Sequence, residues 1–182
     1  MTEQRKRRLA AVWFADIVGY TDLSARDENA ALEVVDELQR IAREEVESRD
    51  GRIVKFQGDA VLTVFDSADA ALRAALALRD EFTGSEVVQR HECALRVGVH
   101  LGDVVEADDG DVYGDGVNVA LRIEGQAEAG QVVVSEDVYR LLREQADHGF
   151  NPFGPVTLKG VAEPMWLYVV GGGALAAPSP AG

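Results

Sequence analysis

The chain has 182 residues, 47% of them hydrophobic, and a formal charge of −14. That length suits one domain with a sizeable core, and the negative field repels a polyphosphate backbone, which argues against nucleic acid as a partner. No window reaches the ~20 apolar residues that span a bilayer and no secretory signal is evident, while the single cysteine, Cys93, excludes an intrachain disulfide; a cytoplasmic location is expected.

The dense basic run Arg5-Lys6-Arg7-Arg8 predicts a solvated N-terminal arm over residues 1–8. Leu9 to Ile17 is short, β-branched and aromatic, as in a buried strand, and it ends at Gly19. From Asp27 the period changes: Ala31, Val34, Val35, Leu38, Ile41 and Ala42 fall on one helical stripe that stops near Gly51. Ile53 to Phe56 and Val61 to Phe65 predict two strands joined by a hairpin turn at Gln57-Gly58-Asp59. A second helix starts after Ser67 or Asp69 and buries Leu72, Ala75, Leu76 and Phe82, and a strand follows from Cys93 to Val99, with Cys93 in the core. The order β-α-β-β-α-β predicts an α+β fold, a ferredoxin-like sandwich whose antiparallel sheet carries both helices on one face.

Beyond that core, Asp108 to Gly116 is acidic and glycine-rich, and Val117 to Glu128 reads as helix. Val132 to Val134, Val138 to Leu142, Val156 to Leu158 and Trp166 to Val170 alternate strand and helix. With no linker before them, they extend the same sheet within one domain, residues 9–170. Gly171 to Gly182 has no apolar period and predicts a flexible tail.

In the ferredoxin-like order the first and third strands are antiparallel neighbours. The end of the first then lies beside the start of the third, which brings Asp16 near Asp59. Singly, Asp16 reads equally as a cap and Asp59 as a turn residue. Together they are two like charges at one sheet edge, and a hard divalent cation, with substrate phosphates as further ligands, removes that cost. Gly19 lets backbone N–H groups approach such phosphates.

Three segments carry a resemblance: Phe14-Ala15-Asp16-Ile17-Val18-Gly19-Tyr20, Lys55-Phe56-Gln57-Gly58-Asp59, and Asp111-Val112-Tyr113-Gly114-Asp115-Gly116-Val117-Asn118-Val119-Ala120-Leu121-Arg122. In order and spacing they resemble the catalytic domain of the class III adenylate cyclases, over Leu9 to Val170. The resemblance implies that Asp16 and Asp59, with the backbone carbonyl of Ile17, bind two Mg²⁺ or Mn²⁺ ions. It implies that Lys55 and Asp111 read the adenine of ATP, Asn118 orients the ribose and Arg122 stabilises the transition state. Lys159, in Leu158-Lys159-Gly160, resembles the family's late lysine on the terminal phosphates. A homodimer is implied, with each site built across the interface, so that Lys55 and Asp59 of one chain serve different nucleotides. Asn118 and Arg122 are i and i+4 on one helix face, which suits two groups addressing one nucleotide.

The sequence also departs from the family. Phe56-Gln57 stands where the family more often has a small hydroxyl residue, and bicarbonate-responsive bacterial members usually carry threonine at the position of Asp111. No Gly-Lys-Ser/Thr occurs, so a P-loop is excluded, and His91, His100 and His148 lack zinc-ligand spacing and read as strand or surface residues. Gln57-Gly58-Asp59-Ala60 in the hairpin does not match the Gly-Gly-Asp/Glu-Glu-Phe of diguanylate cyclases. The rivals are a guanylate cyclase, which needs other base readers, and a non-catalytic nucleotide-binding partner of the same fold.

Overall fold

The structure, a computed structural model, describes residues 5–145 and 147–171. Its spine is β1 (Lys6–Val18), a 13-residue strand that pairs antiparallel with β3 (Ala60–Phe65) on one side and β4 (Ala94–Glu106) on the other. Both faces of β1 are covered, which is why its sequence runs apolar without a polar alternate. Ala11, Trp13, Ala15 and Ile17 enter the main core, and Ala10, Val12 and Phe14 enter a second cluster on the opposite face. With β2 (Arg52–Gln57), β6 (Val132–Ser135), β7 (Phe150–Val156) and β8 (Met165–Val170), the order is β2-β3-β1-β4-β6-β8-β7; the two-residue β5 (Val112–Tyr113) pairs with β4.

The main core lies under α2 (Glu28–Glu47) and α3 (Ala68–Gly84), whose apolar stripes pack on the same sheet face. Each starts on a side-chain cap: Asp27 accepts from the Ala30 N–H at 3.1 Å, and Ser67 from the Ala70 N–H at 3.1 Å. This is the expected ferredoxin-like half, and β6 and β8 extend its sheet as expected; the element expected at Val156 to Leu158 instead ends at Val156, as the last residue of β7. The helix α5 (Asp115–Glu124) lies on the other face, where Val117 and Ala120 join Phe14, Leu62 and Val64. It starts two residues earlier than its apolar pattern predicts and ends four earlier. Three short helices complete the described residues: α1 (Tyr20–Arg26), α4 (Glu86–Gln89) and α6 (Glu136–Leu142).

Four further expectations are corrected. The basic run is not an arm throughout: β4 continues to Glu106 and gives Lys6, Arg7 and Arg8 pairing partners, and the Arg8 guanidinium bonds Glu106 at 2.8 Å and also Asp66. Residues 1–4 lie outside the described residues. Cys93 precedes β4 and is half-buried, its thiol donating to the His91 carbonyl at 3.6 Å. His148 is neither strand nor surface but a buried loop residue, with Nε2 2.9 Å from Asp69 Oδ1. Of the expected tail, residues 172–182 lie outside the described residues. Gly171 is held, since its N–H donates to Gly149 and its carbonyl accepts from Arg79, both at 3.1 Å.

Among the described residues no helix is long and apolar enough to cross a membrane.

Candidate active site

The β1–β3 register sets Asp16 opposite Ala60, so Asp59, in the turn just before β3, lies beside it. The Ile17 backbone faces the Asp59 carboxylate and favours its charged form. Asp16, Ile17, Gly19 and Asp59 line one cavity of about 400 Å³. Gly19 caps α1 at φ +91°, a left-handed conformation that favours glycine and turns the chain sharply around this cavity. Burial, reinforced by the charge of Asp16, raises the Asp59 carboxyl above its ordinary range.

Two further residues, Arg96 and Glu124, complete the cluster. Arg96, on β4, pairs in register with Asp16 and holds both of its oxygens, Nε to Oδ1 at 2.7 Å and Nη2 to Oδ2 at 3.1 Å. Glu124, the last residue of α5, is buried, with Oε1 2.7 Å from Arg96 Nε. That contact is not a hydrogen bond: the Nε–H is directed at Asp16, and Glu124 Oε1 has no hydrogen-bond partner. Burial pushes the Glu124 carboxyl up to about 8; a hydrogen bond with Asp16 and that residue's charge add to the rise, and Arg96 opposes it.

Sequence reasoning missed both residues. An arginine inside the apolar run Leu95-Arg96-Val97-Gly98-Val99, and a glutamate seven residues after Val117 on the buried stripe of a helix, were the available signals. Their partners lie 80 and 28 residues away along the chain, beyond any local pattern.

Lys55 reaches its position through a β-bulge. Ile53 pairs with Thr63 but Lys55 with Leu62, so Val54 is an extra residue in β2. Without it Lys55 would stand opposite Val61 and face the main core; the bulge turns it, with Gln57, to the face of Phe14 and Leu62. There Lys55 Nζ lies 3.2 Å from Asp111 Oδ1. Asp111 also accepts from the Val112 N–H at 2.8 Å, and this bond, then the lysine, holds its carboxyl below the usual range. The pair opens onto an apolar slot of about 250 Å³ formed by Phe14, Leu62, Val112, Val117 and Leu121 and bordered by Asp16 and Glu124.

Asn118 and Arg122 are exposed on the neighbouring stripe of α5, away from Val117, Leu121 and Glu124. With Lys159 they line a third cavity, of about 560 Å³, which shares no residue with the other two. The structure thus joins Asp16 to Asp59, Lys55 to Asp111, and Asn118 and Arg122 to Lys159, as three groups on one chain. Among the described residues no three or more His, Cys, Asp or Glu side chains are arranged to hold a metal ion. Two adjacent carboxylates and a backbone segment bordering one cavity do fit a hard cation that draws its remaining ligands from phosphate and water; the Asp16 charge, which adds to the effect of burial on the Asp59 carboxyl, is the part such an ion would relieve.

This sheet, with paired carboxylates at its centre and a cation–carboxylate pair over an apolar slot, is the architecture of a nucleotidyl cyclase domain. The sequence pattern described as Adenylate and Guanylate cyclase catalytic domain matches residues 2–172, and the chain belongs to that family. It is 38% identical to an adenylate cyclase of Streptomyces coelicolor, over 72% of this chain and 34% of that protein. Across eight of its curated relatives, the chain spans between 19% and 40% of their length. Among solved structures, an adenylate/guanylate cyclase/hydrolase from Silicibacter pomeroyi superposes with a TM-score of 0.78 at 34% identity, covering 91% of this chain and 98% of that one. The adenylyl cyclase CyaB from P. aeruginosa shares the fold, with a TM-score of 0.83 at 24% identity over 94% and 97% of the two chains.

Proposed function

We propose that this chain is an adenylate cyclase domain that converts ATP to 3′,5′-cyclic AMP and pyrophosphate in sites shared across a homodimer. The observation that carries the shared site is the separation on one chain of Asp16 and Asp59 from Asn118, Arg122 and Lys159, which line a cavity of their own. A second copy related by a two-fold axis can complete each half-site with the complementary half.

Lys55 donates to a ring nitrogen of adenine and Asp111 accepts from its exocyclic amine; guanine presents an acceptor there and is repelled. The apolar slot beneath the pair suits the faces of a purine. Asn118 holds the ribose so that its 3′-oxygen faces the α-phosphorus. The 3′-oxygen–phosphorus bond forms as the bond to pyrophosphate breaks, and the hydroxyl proton passes to solvent water. Arg122 meets the negative charge that grows on the phosphoryl oxygens, and Lys159 and the backbone at Gly19 receive the terminal phosphates. Asp16, Asp59 and the Ile17 carbonyl would hold two Mg²⁺ or Mn²⁺ ions, which when bound lower the pKa of the attacking hydroxyl and neutralise phosphate charge.

The test is a product assay with ATP and GTP under Mn²⁺ and under Mg²⁺, on the wild type and on Asp16→Ala and Asp59→Ala. Cyclic AMP from ATP is expected, with both variants folded and inactive. Either variant at near wild-type activity would contradict the two-carboxylate site, and cyclic GMP as the main product would contradict the base reading.

A further inference from the structure

Arg96 Nε and Nη2 occupy both oxygens of Asp16, one of the two carboxylates that the cyclase reading gives to divalent cations. A metal ion cannot take Asp16 fully while the guanidinium fork holds it. We propose that Arg96 sets the metal affinity of the site: it holds Asp16 as an internal counter-ion, and a divalent cation binds by displacing it toward Glu124. The inference rests on the two-cation reading and goes beyond it, by giving the site a resident competitor for the ion.

Three features support displacement rather than a fixed ion pair. The Arg96 side chain is 34% exposed and Asp16 21%, and both border the 400 Å³ cavity, so an ion can reach the pair from solvent. Glu124 offers a place to go, since Oε1 is buried, 2.7 Å from Arg96 Nε, and without a hydrogen bond of its own. A small rotation of the Nε–H from Asp16 to Glu124 would give that oxygen its missing donor. The acidic excess is also local: the charges of Asp16 and Asp59 both act on the Arg96 guanidinium. A dication arriving at Asp16 therefore meets a positive charge that must withdraw, and that charge lowers its affinity. A purely structural Arg96 predicts the reverse, because a residue that only orients Asp16 for the metal would weaken binding when removed.

The test measures metal uptake directly and without nucleotide. Mn²⁺ is titrated into the full chain, and free ion is followed by its paramagnetic resonance signal, for wild type, Arg96→Gln and Arg96→Lys. The inference expects Arg96→Gln to bind about tenfold more tightly than wild type, the order of effect of removing one nearby charge in a solvated cavity. Arg96→Lys, which keeps the charge and loses the fork, is expected in between, and adding Asp16→Asn should abolish the gain. In case Arg96→Gln does not fold, a second arm uses the wild type: the Arg96 Nε–H resonance, assigned by its loss in Arg96→Lys, should shift as Mg²⁺ is added. Equal or weaker Mn²⁺ binding by folded Arg96→Gln, or an Arg96 resonance unmoved at saturating Mg²⁺, would overturn the inference and leave the two-cation reading standing. No uptake by either wild type or Arg96→Gln would remove both.

Discussion

Glu124 is a buried acid whose carboxyl is raised from 4.5 to about 8, burial being the larger cause and Asp16 the next. In the unfolded chain it loses its proton near 4.5, and in the folded chain only near 8. Between those values the folded state binds more protons than the unfolded one, so stability contributed through this group falls as pH rises, and the loss is complete above about 8. Glu124→Gln keeps the shape and removes the titration. Denaturant unfolding with a chelator present, from pH 4.5 to 8.5, should show the wild type losing stability relative to Glu124→Gln as pH rises. Parallel profiles would mean that Glu124 does not hold its proton in the folded state. At this scale the sequence was informative where chemistry is written in short motifs: Asp16 and Asp59, like Lys55 and Asp111, meet as expected. Arg96 and Glu124 escaped because their meaning lies in who their neighbours are, and only the β1–β4 register and the α5 packing supply those.

Helix α5 packs directly on the backbone of β4. A Cβ added at Gly98 would lie 2.2 Å from the Glu124 backbone nitrogen and 2.8 Å from the Ala120 carbonyl oxygen, and these are main-chain atoms that cannot swing aside. Gly98→Ala must therefore push α5 off the sheet, at a cost of roughly 1–3 kcal/mol for an overpacked contact. The same displacement moves Asn118 and Arg122, which ride on that helix. Denaturant unfolding should show the stability loss, and, if Arg122 acts as proposed on charge that develops in the transition state, cyclic AMP formation should fall through kcat more than KM. Wild-type stability in Gly98→Ala would show that α5 is free to shift. Elements with a long apolar period, α2 and α3, were legible from sequence, as was the hairpin at Gly58. The β2 bulge was not, since one extra residue in a six-residue strand leaves no mark on composition, yet it decides which face Lys55 occupies. The start of α5 was hidden for a different reason: Asp115 and Gly116 read as loop residues, and tertiary contact with β4 overrides that propensity.

At the scale of the whole molecule, α5 lies between two of the site's groups. Its Glu124 touches the Asp16 cluster, while Asn118 and Arg122 turn toward the cavity of Lys159. One chain therefore presents the carboxylate pair and the Asn118, Arg122 and Lys159 group in different cavities, which on the proposed reading are two half-sites that a second copy completes. The sequence motifs name the members of both halves but carry no information on which cavity each one enters; that follows from the sheet order and from the helical offset of Asn118 and Arg122 from Val117 and Leu121. The shared site is tested most directly by mixing two inactive variants, Asp16→Ala and Arg122→Ala, at equal total protein, with subunit exchange confirmed independently and cyclic AMP measured. Each variant alone has both sites broken. A mixed dimer gathers both lesions into one site and leaves the other intact, so with free exchange activity should return to roughly a quarter of wild type. No recovery despite confirmed exchange would contradict the shared site.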